Sequence, residues 1–302
     1  MSADFSSVLI DGPWSHELLS ANGARFHVAV TGPQDAPGPL VVLLHSFPQF
    51  WWAWRHQLEA LADAGHRVAA MDLRGVGASD KPPSGYDVPT RTRDVAGVVR
   101  ALGGRSAVVV GHGLGGAVAW SMAAMQPSVT DGVVAIAAPH PARVHRPLRS
   151  MLTPAASRAF AYLQLPLLPE RALTQQGLTS RILTNGGGVT FAPADLATYE
   201  TAMAVPFAAH SSVEAVRWVA RSGPRSDGRR HLSAVRRPVG VPALQIHGSE
   251  DPFVHPDGAE LDAAALSRDF RFEMIEGAGH FLPEEEPAHV TALLLEFLAR
   301  WR

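Results

Sequence analysis

Two side chains in this 302-residue chain have the chemistry of an acid–base pair. His280 stands in the loop Gly277-Ala278-Gly279-His280-Phe281, behind an apolar stretch. Asp251 closes the run Gln245-Ile246-His247-Gly248-Ser249-Glu250-Asp251, again behind an apolar stretch, with Glu250 beside it as the second candidate. A carboxylate that holds one imidazole nitrogen fixes the ring's tautomer and stabilises its charged form, which frees the other nitrogen to act as a general base. Taken singly, neither residue is distinctive. Asp251-Pro252 is a common turn pair, and His280 is one of 14 histidines. A third segment, Ser106 to Gly116, reads as a buried strand, a sharp turn and a helix. The tip of that turn is Gly113, which has no side chain to react.

Residues so far apart in sequence need a scaffold that brings loops to one edge. His16–Ser20 and Arg25–Val30 flank the turn signal Ala21-Asn22-Gly23 and predict a hairpin. Leu40–His45 is a continuous apolar run, as a parallel strand buried on both faces requires. Helical periodicity over Trp51–Ala64, Thr90–Leu102 and Gly115–Met125 alternates with strands at Arg67–Met71, Ala107–Val110 and Gly132–Ala137. That alternation predicts a doubly wound α/β sheet. From about residue 140 to 237 the pattern turns all-helical, with helices over Arg171–Leu183, Pro193–Met203 and Ser212–Arg221 and a flexible break at Asn185-Gly186-Gly187-Gly188. Strands resume at Pro242–His247 and Phe270–Ile275, and a helix from Glu285 to Trp301 ends the chain.

In this order the segments resemble the α/β-hydrolases of the epoxide hydrolase and haloalkane dehalogenase group, closer to the epoxide side. His45-Ser46-Phe47-Pro48 is similar to the family's His-Gly-x-Pro motif, and Gln49-Phe50-Trp51-Trp52-Ala53-Trp54-Arg55 strongly resembles the segment that follows it. Asp72-Leu73-Arg74-Gly75 matches a loop that is structural in the family. The resemblance implies an α/β-hydrolase fold, a mostly parallel twisted sheet flanked by helices. It places a core domain at 1–139 and 238–302 and a helical cap domain at 140–237. It implies His280 as base, Asp251 as acid and Gly113 at the nucleophile position of the elbow. The backbone N–H groups of Phe47 and Leu114 become the oxyanion hole. His45, Trp51, Tyr162 and Tyr199 become candidate substrate contacts, with Phe50 also bordering the site and His210 as a further cap donor.

Several positions depart from the family. Its elbow carries Asp, which opens an epoxide or displaces halide by forming an ester; here it is Gly113. Ser46 stands where the family has Gly, as a small residue that a tight turn tolerates. Leu114 replaces the Trp with which dehalogenases bind halide. Ala215 lies in the late-cap stretch where epoxide hydrolases place a tyrosine that protonates the leaving alkoxide. Three readings follow. In the first, a water fills the space left by Gly113 and is activated by His280 and Asp251. In the second, the chain is an inactive homologue that binds a ligand or signals. In the third, another side chain attacks, with Ser46 and Asp72 as candidates.

Bulk composition narrows the partners. With 46% hydrophobic and 18% charged residues the chain can bury a large core. A net charge of −2 gives no electrostatic case for nucleic acid or an anionic membrane. No cysteine is present, which excludes disulfides and a thiol nucleophile. Met1–Trp14 lacks the pattern of a secretory signal, and no apolar run is long enough for a transmembrane segment, so a cytoplasmic protein is expected. No cofactor is implied, because the chain has no phosphate loop, dinucleotide fingerprint or metal-spaced cluster. His140 and His145 are read as solvent-facing residues at the cap hinge. The partners expected are a small apolar organic molecule and, as an open option, a second copy of the chain in a homodimer.

Overall fold

The computed structural model describes residues 4–142, 152–187, 191–255, 267 and 269–301. Its strands are β1 (Ser15–Ala21), β2 (Ala24–Thr31), β3 (Leu40–Leu44), β4 (Val68–Met71), β5 (Ala107–His112), β6 (Thr130–Ile136), β7 (Ala243–Gly248) and β8 (Phe270–Ile275). They form one sheet in the order β1-β2-β4-β3-β5-β6-β7-β8. β1 and β2 form the predicted hairpin, β2 pairs antiparallel with β4, and every other pairing is parallel. β3 and β5 are buried along their whole length, because helices cover both faces. Alternate residues feed two cores. Val41, Leu43, Val108 and Val110 face one, and Val42, Leu44 and Val109 face the other.

The helices α1 (Arg55–Asp63), α2 (Val88–Ala101) and α3 (Leu114–Met125) connect the first parallel strands. Asp87 caps α2 by accepting the Thr90 amide at 2.7 Å. Between β6 and β7 lie α4 (Pro154–Tyr162), α5 (Leu168–Gln175), α6 (Leu178–Gly186), α7 (Pro193–Ala204), α8 (Ala208–Arg221) and α9 (Ser226–Val235), with no sheet strand among the described residues. The helix expected over Arg171–Leu183 is two, α5 and α6, because Gly177 between them takes a left-handed φ of 62°. The glycine break also begins later than expected. α6 runs through Gly186, which is packed against Phe253 and Phe281. α10 (Leu282–Glu285) and α11 (Pro287–Leu298) close the fold. No helix among the described residues is long and apolar enough to cross a membrane.

The aromatic segment after β3 is drawn inward by one carboxylate. Asp72 is fully buried and accepts hydrogen bonds from Trp51 N at 2.9 Å, Ala78 N at 3.0 Å and His27 Nδ1 at 2.8 Å. Trp51 is consequently core, with its indole N–H on the Val8 carbonyl at 2.9 Å and its ring against Trp14 and Trp52. Phe50 is equally buried, against Tyr199. The expectation that both border the site is corrected by this geometry. Asp72 is also removed as an attacking group, since its oxygens are occupied and sealed.

Burial pushes the Asp72 carboxyl up, but the hydrogen bond and charge of His27 outweigh it and hold the group below the usual range. A carboxylate depressed in the folded state stabilises the fold above its unfolded pKa of about 3.9, and that stabilisation is lost as pH falls through the folded value. Urea midpoints of the wild type should therefore decline below about pH 4. Asp72→Ala should remove roughly 3–5 kcal/mol at neutral pH, because it strands buried partners. An unchanged urea midpoint in that variant would refute the role.

Candidate active site

The turn between β5 and α3 comes within van der Waals distance of β3. A Cβ added to Gly115 would lie 2.2 Å from the Leu44 carbonyl oxygen, so the first turn of α3 can reach β3 only without one. Gly113 at the tip has φ 51° and ψ −112°, a conformation that side chains rarely adopt. A Cβ built on Gly113 would stand 2.0 Å from Ser46 Oγ, 2.9 Å from Ser46 Cβ and 3.6 Å from His280 Nε2. The space expected to be empty beside Gly113 is thus already taken by the Ser46 hydroxyl.

Ser46 is held from beneath. Its carbonyl accepts hydrogen bonds from His45 Nδ1 at 2.9 Å and from Gln49 N at 3.0 Å. His45 Nε2 accepts the Leu73 amide at 3.1 Å, which places the ring proton on Nδ1. Burial pulls the His45 pKa down to about 4, so the ring is neutral, in agreement with that tautomer. His45 therefore fixes the Ser46 backbone and does not reach into the cavity.

His280 donates from Nδ1 to Asp251 Oδ2 at 2.8 Å. Asp251 Oδ1 accepts the amides of Phe253 at 2.8 Å and Val254 at 3.0 Å. Burial raises the Asp251 carboxyl, and the charge and hydrogen bond of His280 together with these amides overcome it and hold the group below the usual range. Glu250, the alternative acid, is exposed. The loop is clamped on both sides of the ring. Glu285 accepts Gly279 N at 2.7 Å and Phe281 N at 2.6 Å, one on each oxygen. The His280 amide donates to the Gly186 carbonyl at 2.7 Å, and its own carbonyl accepts from His112 Nε2 at 2.8 Å. Burial takes the His112 pKa down to about 3, so this ring is neutral. Behind it, His112 Nδ1 lies 3.1 Å from the Gln49 side-chain amide, whose nitrogen donates to Glu284 Oε1 at 2.6 Å. Glu284 also receives Arg55 at 2.8 Å and the Tyr199 hydroxyl. Reading residues alone missed Gln49, His112 and Glu285, although the glutamate run behind His280 was visible.

Ser46, Phe47, Gly113, Leu114 and His280 meet at one wall of a cavity of about 240 Å³. The remaining wall is apolar and comes largely from the helical insertion, through Ala156, Phe160, Leu163, Ile182 and Val216. Ser46 and His280 are the only polar side chains among the described lining residues. Phe47 and Leu114 line the same cavity, and Leu114 is the first residue of α3, where helix amides lack an intrahelical acceptor.

Other candidates lie elsewhere. Tyr199 is fully buried with its hydroxyl on Glu284, and Tyr162 donates to the Leu168 carbonyl at 3.2 Å, so neither lines the cavity. Tyr86 meets Ser211 instead. His210 is largely exposed, 3.7 Å from Glu170. His140 is buried against Trp120 rather than facing solvent, and His145 lies outside the described residues. Ala215 is buried on α8.

A mostly parallel sheet that delivers a His–Asp pair, a strand–turn–helix tip and a preceding loop to one edge, under a helical insertion, defines an α/β-hydrolase architecture. The chain belongs to the alpha/beta hydrolase fold family, whose profile matches residues 39–287. It is 33% identical over 289 residues to the AB hydrolase superfamily protein YfhM of Bacillus subtilis (strain 168), covering 93% of this chain and 97% of that protein. It is 30% identical over 296 residues to Epoxide hydrolase 3 of Xenopus tropicalis, covering 95% and 78%. Among solved structures it is similar to Epoxide Hydrolase A from Mycobacterium thermoresistibile, with a TM-score of 0.78 and 25% identity over 95% of this chain and 98% of that one.

Gly113→Ala should lower stability by roughly 1–3 kcal/mol, through the positive φ and the overlap with Ser46. Adding Ser46→Gly should recover part of the loss, giving a coupling of about 0.5–3 kcal/mol in urea unfolding of the four proteins. Strictly additive changes would refute the overlap.

Proposed function

We propose that the protein is an epoxide hydrolase-like α/β hydrolase for small to medium, largely apolar substrates, with His280 as general base and Asp251 holding it. One observation carries this reading: the His280–Asp251 pair is intact, and its free nitrogen faces an apolar cavity. The backbone N–H groups of Phe47 and Leu114 are suited to stabilise negative charge developing on a substrate oxygen. Residues 140–237 serve as the cap over the core formed by 1–139 and 238–302. Gly113, at the nucleophile position, supplies no attacking atom, so the attacking oxygen comes from another source under the control of His280. The relatives named as epoxide hydrolases support the reaction class. The lack of a phenol among the described lining residues makes short esters equal candidates with epoxides.

Turnover of short-chain esters and small epoxides by the purified protein tests this. His280→Ala should reduce it by about 10²–10⁴, the usual contribution of a positioned base. Asp251→Asn should cost a similar factor by releasing the ring from its tautomer. Undiminished turnover in His280→Ala would overturn the reading. Saturable binding of apolar molecules with no turnover in the wild type would assign the cavity to the ligand-binding alternative, which Gly113 itself favours.

A further inference from the structure

We propose that Ser46 is the nucleophile of this site, delivered from the loop after β3 in place of the elbow, and that the substrates are carboxylic esters with short apolar groups. The proposal rests on the reading of His280 as base. Its own support is positional. Ser46 Oγ stands 2.0 Å from the point where the first side-chain atom of an elbow nucleophile would be, and His280 Nε2 stands 3.6 Å from that same point. Among the described residues that line the cavity, the hydroxyl and the ring are the only polar side chains. Among the described residues Ser46 Oγ makes no hydrogen bond, so it is not committed to the fold, while its backbone is pinned by His45 and Gln49. Nucleophile–base contacts in unliganded sites are often longer than in the reacting complex.

The change at residue 46 and the change at residue 113 explain each other. As the site stands, a side chain at 113 would overlap the Ser46 side chain, and Gly113 leaves that place to the hydroxyl. A drifting elbow would require only the change at residue 113.

The chemistry selects the substrate. As Ser46 Oγ bonds to an ester carbonyl carbon, its proton passes to His280 Nε2. The carbonyl electron pair becomes an oxyanion near the amides of Phe47 and Leu114. Collapse breaks the bond to the alcohol oxygen, which takes the proton from His280, leaving an acyl group on Ser46. A water then gives its proton to His280 and attacks the acyl carbon. The bond to Oγ breaks, Oγ recovers the proton, and the acid leaves; the sum is ester plus water to acid plus alcohol. Attack of the same hydroxyl on an epoxide carbon would instead form an ether, which activated water does not cleave. A serine at this place therefore turns over acyl substrates only. The cavity volume of about 240 Å³ is below the roughly 300–1,000 Å³ of sites for drug-sized ligands, which suits short groups.

The test uses an alkyl fluorophosphonate with a short chain, alongside short-chain p-nitrophenyl esters. Mass spectrometry should place one adduct on Ser46, and labelling should fall sharply in His280→Ala. Ser46→Ala should lose both the adduct and about a thousandfold or more of ester turnover, with its thermal midpoint close to the wild type. Ser46→Cys would carry the chain's only thiol. It should regain burst-phase acylation, and its alkylation by iodoacetamide should slow when His280→Ala is added. Absence of an adduct on Ser46 overturns the proposal. Ester turnover that survives Ser46→Ala but not His280→Ala also overturns it while leaving the base in place. Turnover that survives both removes the base as well.

Discussion

Between the loop after β3 and the turn after β5 there is room for one side chain, and the site is organised around which residue supplies it. In this chain Ser46 holds that space, and Gly113 must yield. The exclusion is steric before it is chemical. Rotating the hydroxyl would relieve the 2.0 Å overlap but would leave Ser46 Cβ at 2.9 Å from a Cβ on residue 113, so the loop would also have to shift. His280 Nε2 lies 3.6 Å from a Cβ on residue 113, an ordinary contact, so the ring borders the shared space without being displaced by an occupant there.

That pair is precise because its loop has little freedom. Glu285 holds the amides flanking His280, while Gly186 and His112 bind its own amide and carbonyl. Behind His112, Gln49 leads to Glu284, where burial raises the carboxyl despite Arg55. This polar layer sits between apolar cores, where each unsatisfied member would cost about 1–3 kcal/mol. Its members come from the loop after β3 (Gln49), the start of α1 (Arg55), the end of β5 (His112), α7 (Tyr199) and α10 (Glu284), so they register the β3 loop against the histidine loop.

The alternation of strands and helices, the hairpin and the placement of Asp251 and His280 just after strands were legible because they depend on local signals: apolar runs, turn residues and the residues at strand ends. The aromatic contacts were not. Phe50 and Trp51 have the right types to line an apolar cavity, and only the buried Asp72 carboxylate, far along the chain, turns them into core. Tyr199 was misplaced for the same reason, since Glu284 captures its hydroxyl. Ser46 was visible as a departure, yet its meaning depends on a distance to residue 113 that spacing along the chain cannot express. The split of one expected helix into α5 and α6 turned on Gly177, a glycine that sequence patterning alone does not mark as left-handed.

The hydrogen bond from the His280 amide to the Gly186 carbonyl joins the histidine loop to the end of a helix in the insertion. Admission of a substrate and readiness of the base are consequently not independent variables. α6 lines the cavity through Ile182, so a displacement of α6 that widened it would withdraw an acceptor from the backbone that carries the ring. Linkage makes this reciprocal: whatever favours the seated helix favours an aligned imidazole by the same free energy. The helices of the insertion and the imidazole loop are then two arms of one balance.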